Sequence, residues 1–145
     1  MINVENICPI FKLKTRQIKA LGERLLFEEG VLKAEINIVF VDDNYIIKLN
    51  QEYLSKDTTT DVLSFILTDE SDEQLEGEVY ANIEQIIRQA EDYHVSSDVE
   101  LCRVVIHGLL HLIGFNDQSD DDKKVMTEKE DYYLINLPTK IFKKG

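Results

Sequence analysis

The sequence has few cysteines, no long apolar run and little positive charge, and each shortage argues against a class of protein. Cys8 and Cys102 are the two cysteines in 145 residues, too few for a disulfide framework, which favours a reducing compartment. No apolar run is long enough to cross a membrane, and the N-terminus lacks the apolar core of a secretion signal. We therefore expect a cytoplasmic protein without a membrane partner.

Positive charge is scarce. The chain has 16 lysines and arginines against 28 aspartates and glutamates, which gives a formal net charge of −12. Proteins that bind nucleic acids through a general surface are usually basic, so this balance argues against such a surface, and we expect no DNA partner. A local site built on a metal ion or on a few basic residues remains compatible with the charge.

The apolar pattern predicts one α+β domain over residues 1–145, with a mixed, roughly four-stranded sheet and about five helices packed on it. Hydrophobic residues make up 43% of the chain, and no repeat or low-complexity linker interrupts it. The predicted strands cover 2–7, 35–41, 62–67 and 77–81. The predicted helices cover 12–29, 43–54, a segment that Asn82 caps and that runs to residue 93, a long segment after Ser96 and Ser97, and about 120–135.

The richest motif runs from His107 to Asp117. His107 and His111 stand four residues apart in the long helix, so their rings share one face and can bind one metal ion. Gly114 is placed to end that helix, and the chain can then return Asp117 to the two rings as a third ligand. Three protein ligands with an open fourth position are typical of catalytic zinc.

Other interpretations of these residues stay open at this point. The two histidines could share a helix face by chance, as ordinary core or surface residues. The third carboxylate could come from Asp120, Asp121 or Asp122, although these also suit the start of a helix. The remaining histidine, His94, lies at the predicted end of another helix, where an interaction with the helix dipole explains it.

One expected residue is missing. Zinc proteases with the His-Glu-x-x-His motif carry their general base directly after the first histidine, and here that position is Gly108. Peptide hydrolysis by the usual arrangement is therefore not expected.

These residues resemble the YbeY family of bacterial rRNA-maturation metallo-endoribonucleases, whose signature is approximately His-Gly-x-Leu-His-Leu-x-Gly-Tyr-Asp-His. The similarity extends to Leu49-Asn-x-x-Tyr-x-x-Lys-Asp57 and to Thr60-Asp-Val-Leu-Ser-Phe65, which match the family's second block. Gly77-Glu-Val-Tyr80 and the pair Met126 and Glu130 resemble later parts of the family. The resemblance covers most of the chain from about Ile36 onward.

The resemblance implies an α+β fold and one zinc-type ion held by three side chains, of which His107 and His111 carry over directly. It implies that the block from Thr60 to Phe65, including Asp61 and Ser64, lines the substrate groove. It also implies cleavage of single-stranded RNA in the maturation of the 16S rRNA 3′ end, a role in ribosome quality control, and the small ribosomal subunit as partner.

The chain departs from the family pattern at three positions. Asp117 stands where the family usually has a third histidine, which lowers the charge of the metal centre by one unit and should make a bound water less acidic. Leu54 replaces an arginine suited to a phosphate, and Lys56, Arg88 and Arg103 are the candidate substitutes. Thr59 replaces a proline.

The leading hypothesis is thus a metal-dependent endoribonuclease in which the ion activates water and polarises a phosphoryl oxygen. Because free RNA should bind this acidic chain weakly, a ribosome or a ribosome-associated protein is expected to deliver the substrate. Three rivals remain: a metal-dependent hydrolase of another substrate, a non-catalytic ribosome assembly factor stabilised by the metal, and an α+β domain without metal.

Overall fold

The computed structural model describes residues 1–69, 71–135, 137 and 140–143. The strands are β1 (Ile2–Asn6), β2 (Ala34–Val41), β3 (Val62–Ile66) and β4 (Leu75–Asn82). The helices are α1 (Thr15–Glu28), α2 (Asp43–Leu54), α3 (Ile83–Asp92), α4 (Ser97–Leu112) and α5 (Asp120–Leu134). These elements confirm the predicted α+β class. Within the described ranges, no helix is both long and apolar enough to cross a membrane.

The four strands form one mixed sheet in the order β1-β2-β4-β3. β1 and β4 run parallel to β2 on its two sides, and β3 pairs antiparallel with β4 at the edge. β3 therefore has one side without a strand partner in the described sheet. This open side becomes a wall of the candidate site.

Two predicted boundaries are wrong. α1 begins at Thr15 instead of residue 12, because Leu13 pairs with Phe142 in an isolated antiparallel bridge. β4 begins at Leu75 instead of residue 77, because it pairs with β2 along the full length of that strand. Both corrections depend on partners that are distant in the sequence.

The sheet buries its two faces unequally. The main core joins one face of the sheet, through Ile36, Ile38 and Phe40, to α1, α4 and α5. A smaller cluster on the other face joins Val39 and Val41 of β2 to Ile46 of α2. α4 is buried along most of its length, because sheet, α1, α3 and α5 all contact it. The helix that carries both histidines is therefore a rigid support.

α4 lies unusually close to the edge of the sheet at Gly108. A Cβ atom built there would be 2.7 Å from Cγ1 of Val79 and 3.0 Å from Cγ2 of Val62. Ser64 of β3 donates a hydrogen bond of 2.9 Å to the Gly108 carbonyl at the same crossing. The absence of a side chain at 108 thus lets α4 pack against β3, with His107 and His111 beside that strand.

Candidate metal centre and its pocket

His107 and His111 project from the last two turns of α4. Their Nε2 atoms lie 3.0 Å apart, and their rings meet edge to face with centroids 4.6 Å apart. Both side chains are partly buried. The i, i+4 spacing seen in the sequence thus aims the two ring nitrogens at one point.

The turn after α4 brings a carboxylate to the same point. Gly114, with φ of +112°, donates to the His111 carbonyl, and Phe115 donates to the Leu110 carbonyl, which together form a Schellman motif. The chain then reverses, and Asp117 places Oδ2 3.5 Å from Nε2 of His107 and Oδ1 3.7 Å from Nε2 of His111. The glycine at the helix end is therefore what positions the carboxylate.

These three side chains could hold a metal ion. One donor atom from each lies within 4.8 Å of the others, and they form the group of three potential ligands found among the described residues. A tetrahedral zinc with bonds of about 2.0–2.1 Å separates its donor atoms by roughly 3.4 Å. The two imidazole nitrogens lie 3.0 Å apart, and each faces a different oxygen of Asp117 at 3.5 or 3.7 Å, so the donor set is compatible with such an ion.

The neighbouring aspartates have another role. Asp122 forms a capping box with Ser119 at the start of α5: its backbone N–H donates to the Ser119 hydroxyl at 3.0 Å, and its carboxylate accepts from the Ser119 N–H. Asp120 and Asp121 also lie in the first turn of α5, where negative charge favours the helix dipole. The structure therefore favours Asp117 as the third donor over this cluster.

Glu130 of α5 orients the first histidine. Its Oε2 lies 2.7 Å from Nδ1 of His107, and its Oε1 accepts a hydrogen bond of 3.0 Å from Arg103. The carboxylate is buried, with 7% of its surface exposed. With Nδ1–H donated to Glu130, the Nε2 lone pair of His107 is free to bind an ion.

Opposing effects act on the pKa of His107. Burial alone lowers this pKa, but the hydrogen bond to Glu130 and the negative charges of Glu130, Asp117 and Asp61 outweigh burial, and the pKa is raised. The surroundings thus favour a positive charge on this ring. A bound divalent cation would satisfy the same preference and release the proton from Nε2.

The cluster opens into a pocket of about 490 Å³ along β3. Each of the predicted groove residues Thr60, Asp61 and Ser64 lines this pocket together with the two histidines and Asp117. The Ser64 hydroxyl donates its hydrogen bond to the Gly108 carbonyl, so this side chain holds α4 against β3. The pocket is therefore bounded by a strand edge on one side and by the potential metal ligands on the other.

Comparison with known proteins agrees with the sequence motifs. The profile of the family described as Endoribonuclease YbeY matches residues 4–138. A protein named Endoribonuclease YbeY from Flavobacterium psychrophilum is 44% identical over 110 residues, which is 76% of this chain and 77% of the relative. Its namesake from Chloroherpeton thalassium is 41% identical over 87% of this chain and 88% of its own.

This chain belongs to the YbeY family. A solution structure of a Thermotoga maritima protein has a similar fold, with a TM-score of 0.65, 29% identity, and coverage of 92% of this chain and 87% of that one. The resemblance read from the motifs is thereby confirmed, and so is the fold class that it implied.

Two of the residues considered as replacements for the arginine of the YbeY pattern are already paired. Arg88 makes a bidentate contact with Asp43 at 2.8 and 2.9 Å, and Arg103 joins Glu130 to Asp131. Leu54, which stands at the arginine position, is the last residue of α2 and is 46% exposed. Lys56 is exposed and has no ion-pair partner within the described residues.

Thr59, in place of the proline of the YbeY pattern, joins a polar network that sequence reasoning missed. Its hydroxyl donates to Asp43 at 2.9 Å and lies 3.0 Å from Nδ2 of the buried Asn82. The Asn82 amide also donates to the Thr60 carbonyl at 3.2 Å, and its Oδ1 caps α3. Asn82 thus fixes the loop that carries the pocket residues. The sequence predicted only that Asn82 caps a helix.

Glu130 is the second residue whose role was missed. The sequence showed it as part of the family resemblance, but nothing local assigns it to His107, which lies 23 residues away. His94 has no part in the cluster: it follows α3 in the left-handed conformation, with φ of 56°.

Proposed function

We propose that the protein is a single-strand-specific, metal-dependent endoribonuclease that acts in the cytoplasm on the 3′ end of 16S rRNA and in late ribosome quality control. The observation that carries the proposal is the convergence of His107, His111 and Asp117 on one open pocket, in a chain of an endoribonuclease family. The ribosomal role is supported by the family resemblance alone.

The side chains present suit zinc as the resident ion. Two imidazoles and one carboxylate form a common ligand set for catalytic zinc, whereas magnesium and calcium prefer oxygen ligands. When bound, the ion supplies Lewis-acid chemistry, lowering the pKa of water and polarising a phosphoryl oxygen. Glu130 would hold His107 in the required tautomer, and the Gly114 turn would hold Asp117.

The position of the pocket supports a preference for single strands. It lies beside the edge of β3, and a phosphate must approach within bonding distance of the ligand cluster at its wall. A flexible single strand can bend into such a groove and splay its bases, whereas a regular duplex presents a stiff, continuous backbone.

Charge supports delivery of the RNA by a larger assembly. The net charge is −12, and two of the cations considered for contact with a phosphate, Arg88 and Arg103, are held by carboxylates. We infer that the small ribosomal subunit, together with ribosome-associated proteins, positions the substrate. Tight binding of naked RNA at physiological salt would contradict this inference.

The test compares metal content with RNA cleavage on the same samples. Purified wild-type protein, His111→Ala and Asp117→Ala are analysed for zinc by elemental analysis and assayed on matched single-stranded and double-stranded RNA. The matched control is His94→Asn, which removes a histidine outside the cluster and places a residue that tolerates the left-handed conformation there.

We expect about one zinc per wild-type and control chain, with cleavage of the single strand only, and loss of both zinc and cleavage in the two site variants. Zinc without cleavage of any RNA would favour the non-catalytic assembly factor. Hydrolysis of a peptide or amide but not of RNA would favour the hydrolase of another substrate. Wild-type protein without bound metal would overturn the proposal.

A further inference from the structure

The proposed reaction needs a group that accepts a proton from water, and the position used by zinc proteases is closed here. A glutamate side chain at 108 would start from a Cβ only 2.7 Å from Val79 and 3.0 Å from Val62, both in the sheet. A carboxylate must therefore reach the pocket from another element.

Asp61 is the remaining acidic side chain of that pocket. Among the described residues that line it, the titratable ones are His107, His111, Asp117 and Asp61, and the first three form the potential ligand cluster. Asp61 immediately precedes β3, so it reaches the pocket from a different element than His107 and His111 of α4. No ion pair joins it to a ligand side chain within the described part of the chain.

Hydrogen bonds hold Asp61 in place beside the pocket. Its Oδ2 accepts a hydrogen bond of 3.2 Å from the Gln89 amide, and its backbone carbonyl accepts one of 2.8 Å from the Asn82 N–H. Gln89 is itself held by the buried Glu100 at 3.0 Å. A neutral amide orients a carboxylate without cancelling its charge, in contrast to the arginines that pair with Asp43 and Glu130.

We propose that Asp61 is the general base of the reaction. Its free carboxylate oxygen takes one proton from the attacking water while the water oxygen forms a bond to phosphorus. One P–O bond to the adjoining ribose breaks, and its electron pair goes to the ribose oxygen. That oxygen takes a proton from solvent water and leaves as a hydroxyl group, and Asp61 releases its own proton to solvent, which returns the carboxylate to its starting form.

The inference rests on the proposed function, and the test separates the two. Asp61→Asn keeps the shape of the side chain and can still accept the Gln89 hydrogen bond, but it cannot take a proton at neutral pH. The matched control is Asp57→Asn, the same chemical change in the same loop at an exposed position outside the pocket. For each protein, zinc content, the Kd for an uncleaved single-stranded RNA and the cleavage rate are measured.

For Asp61→Asn we expect cleavage slower by about 10²–10⁴-fold, the usual contribution of a general base, with zinc content unchanged and RNA affinity equal or higher. Asp57→Asn should behave as wild type. In Asp61→Ala, added formate should restore part of the rate, because a small carboxylate can occupy the space; a purely structural role gives no such rescue.

The outcomes are distinct. If wild-type protein cleaves RNA and Asp61→Asn cleaves it within threefold of that rate, the general-base assignment is wrong while the proposed function stands. Loss of zinc in Asp61→Asn would overturn the assignment as well, since Asp61 would then act on metal binding. If wild-type protein carries zinc and cleaves no RNA, the proposed function itself fails.

Discussion

Replacing Glu130 by glutamine should weaken zinc binding without touching any proposed ligand. In the wild type, the Glu130 carboxylate accepts from Nδ1 of His107 at 2.7 Å and from Arg103 at 3.0 Å, in a buried position. The amide of Glu130→Gln has one oxygen, so it can satisfy His107 or Arg103 but not both, and the negative charge that favours a cation on the His107 ring is lost.

The size of the effect follows from this geometry. Loss of the partner that orients a metal-binding histidine typically weakens metal affinity by about 10–100-fold, which corresponds to about 1.4–2.7 kcal/mol. The value should fall in the upper half of that range, because the hydrogen bond is short and charge-assisted and Glu130 is buried.

The assay is a competition titration of zinc against a chelator of known affinity at neutral pH. The control is Asp131→Asn, which removes the neighbouring charge and the exposed partner of Arg103 at 2.8 Å but leaves the contact with His107 in place. It should change the zinc Kd by less than about twofold. A Glu130→Gln protein with wild-type zinc affinity would refute the role given to Glu130.

Two further predictions concern the supports of the site. The pKa of Asp43 is lowered from 3.8 to about 2, mainly by hydrogen bonds from Arg88, so this pair stabilises the fold fully above about pH 4 and loses its effect as the pH falls towards 2. Urea unfolding should therefore show Arg88→Met less stable by about 1 kcal/mol at pH 7, with a difference that shrinks at acid pH; a constant difference would contradict the linkage. Gly114→Ala should cost about 1–2 kcal/mol in the same assay because φ is +112°, and it should also weaken zinc binding by displacing Asp117; unchanged values of both would contradict the role of the turn.

The sequence predicted what depends on near neighbours along the chain. Helical periodicity, capping residues and the glycine stop located the long helix, and the i, i+4 histidines with the carboxylate after the turn identified the cluster. The predicted ends of α1 and β4 were wrong, since Leu13 and Leu75 take their conformations from partners in distant segments.

Roles set by tertiary contact could not be predicted in the same way. Glu130 of α5 contacts His107 of α4. At Gly108 a side chain would collide with β3 and β4, which pack directly against α4. In the sequence, that glycine could be interpreted only as the absence of a protease base. Its packing role requires the sheet that Val62 and Val79 belong to, and those residues lie 46 and 29 positions earlier in the chain.

The charges at the site explain why an acidic chain can act on an acidic polymer. A divalent ion held by two neutral imidazoles and Asp117 would carry a net charge of about +1, and a third histidine instead of Asp117 would leave about +2. The carboxylate of Asp61 would offset the remaining positive charge of the metal centre. The side chains of Arg88 and Arg103 already pair with carboxylates. On the proposed function, the pocket would therefore offer a phosphate little long-range attraction, and its hold on RNA would come from direct bonding to the ion. Such a site would cleave the RNA whose phosphate is placed at the ion, and would not attract other RNA from a distance. This property suits a substrate that a larger ribonucleoprotein holds in place.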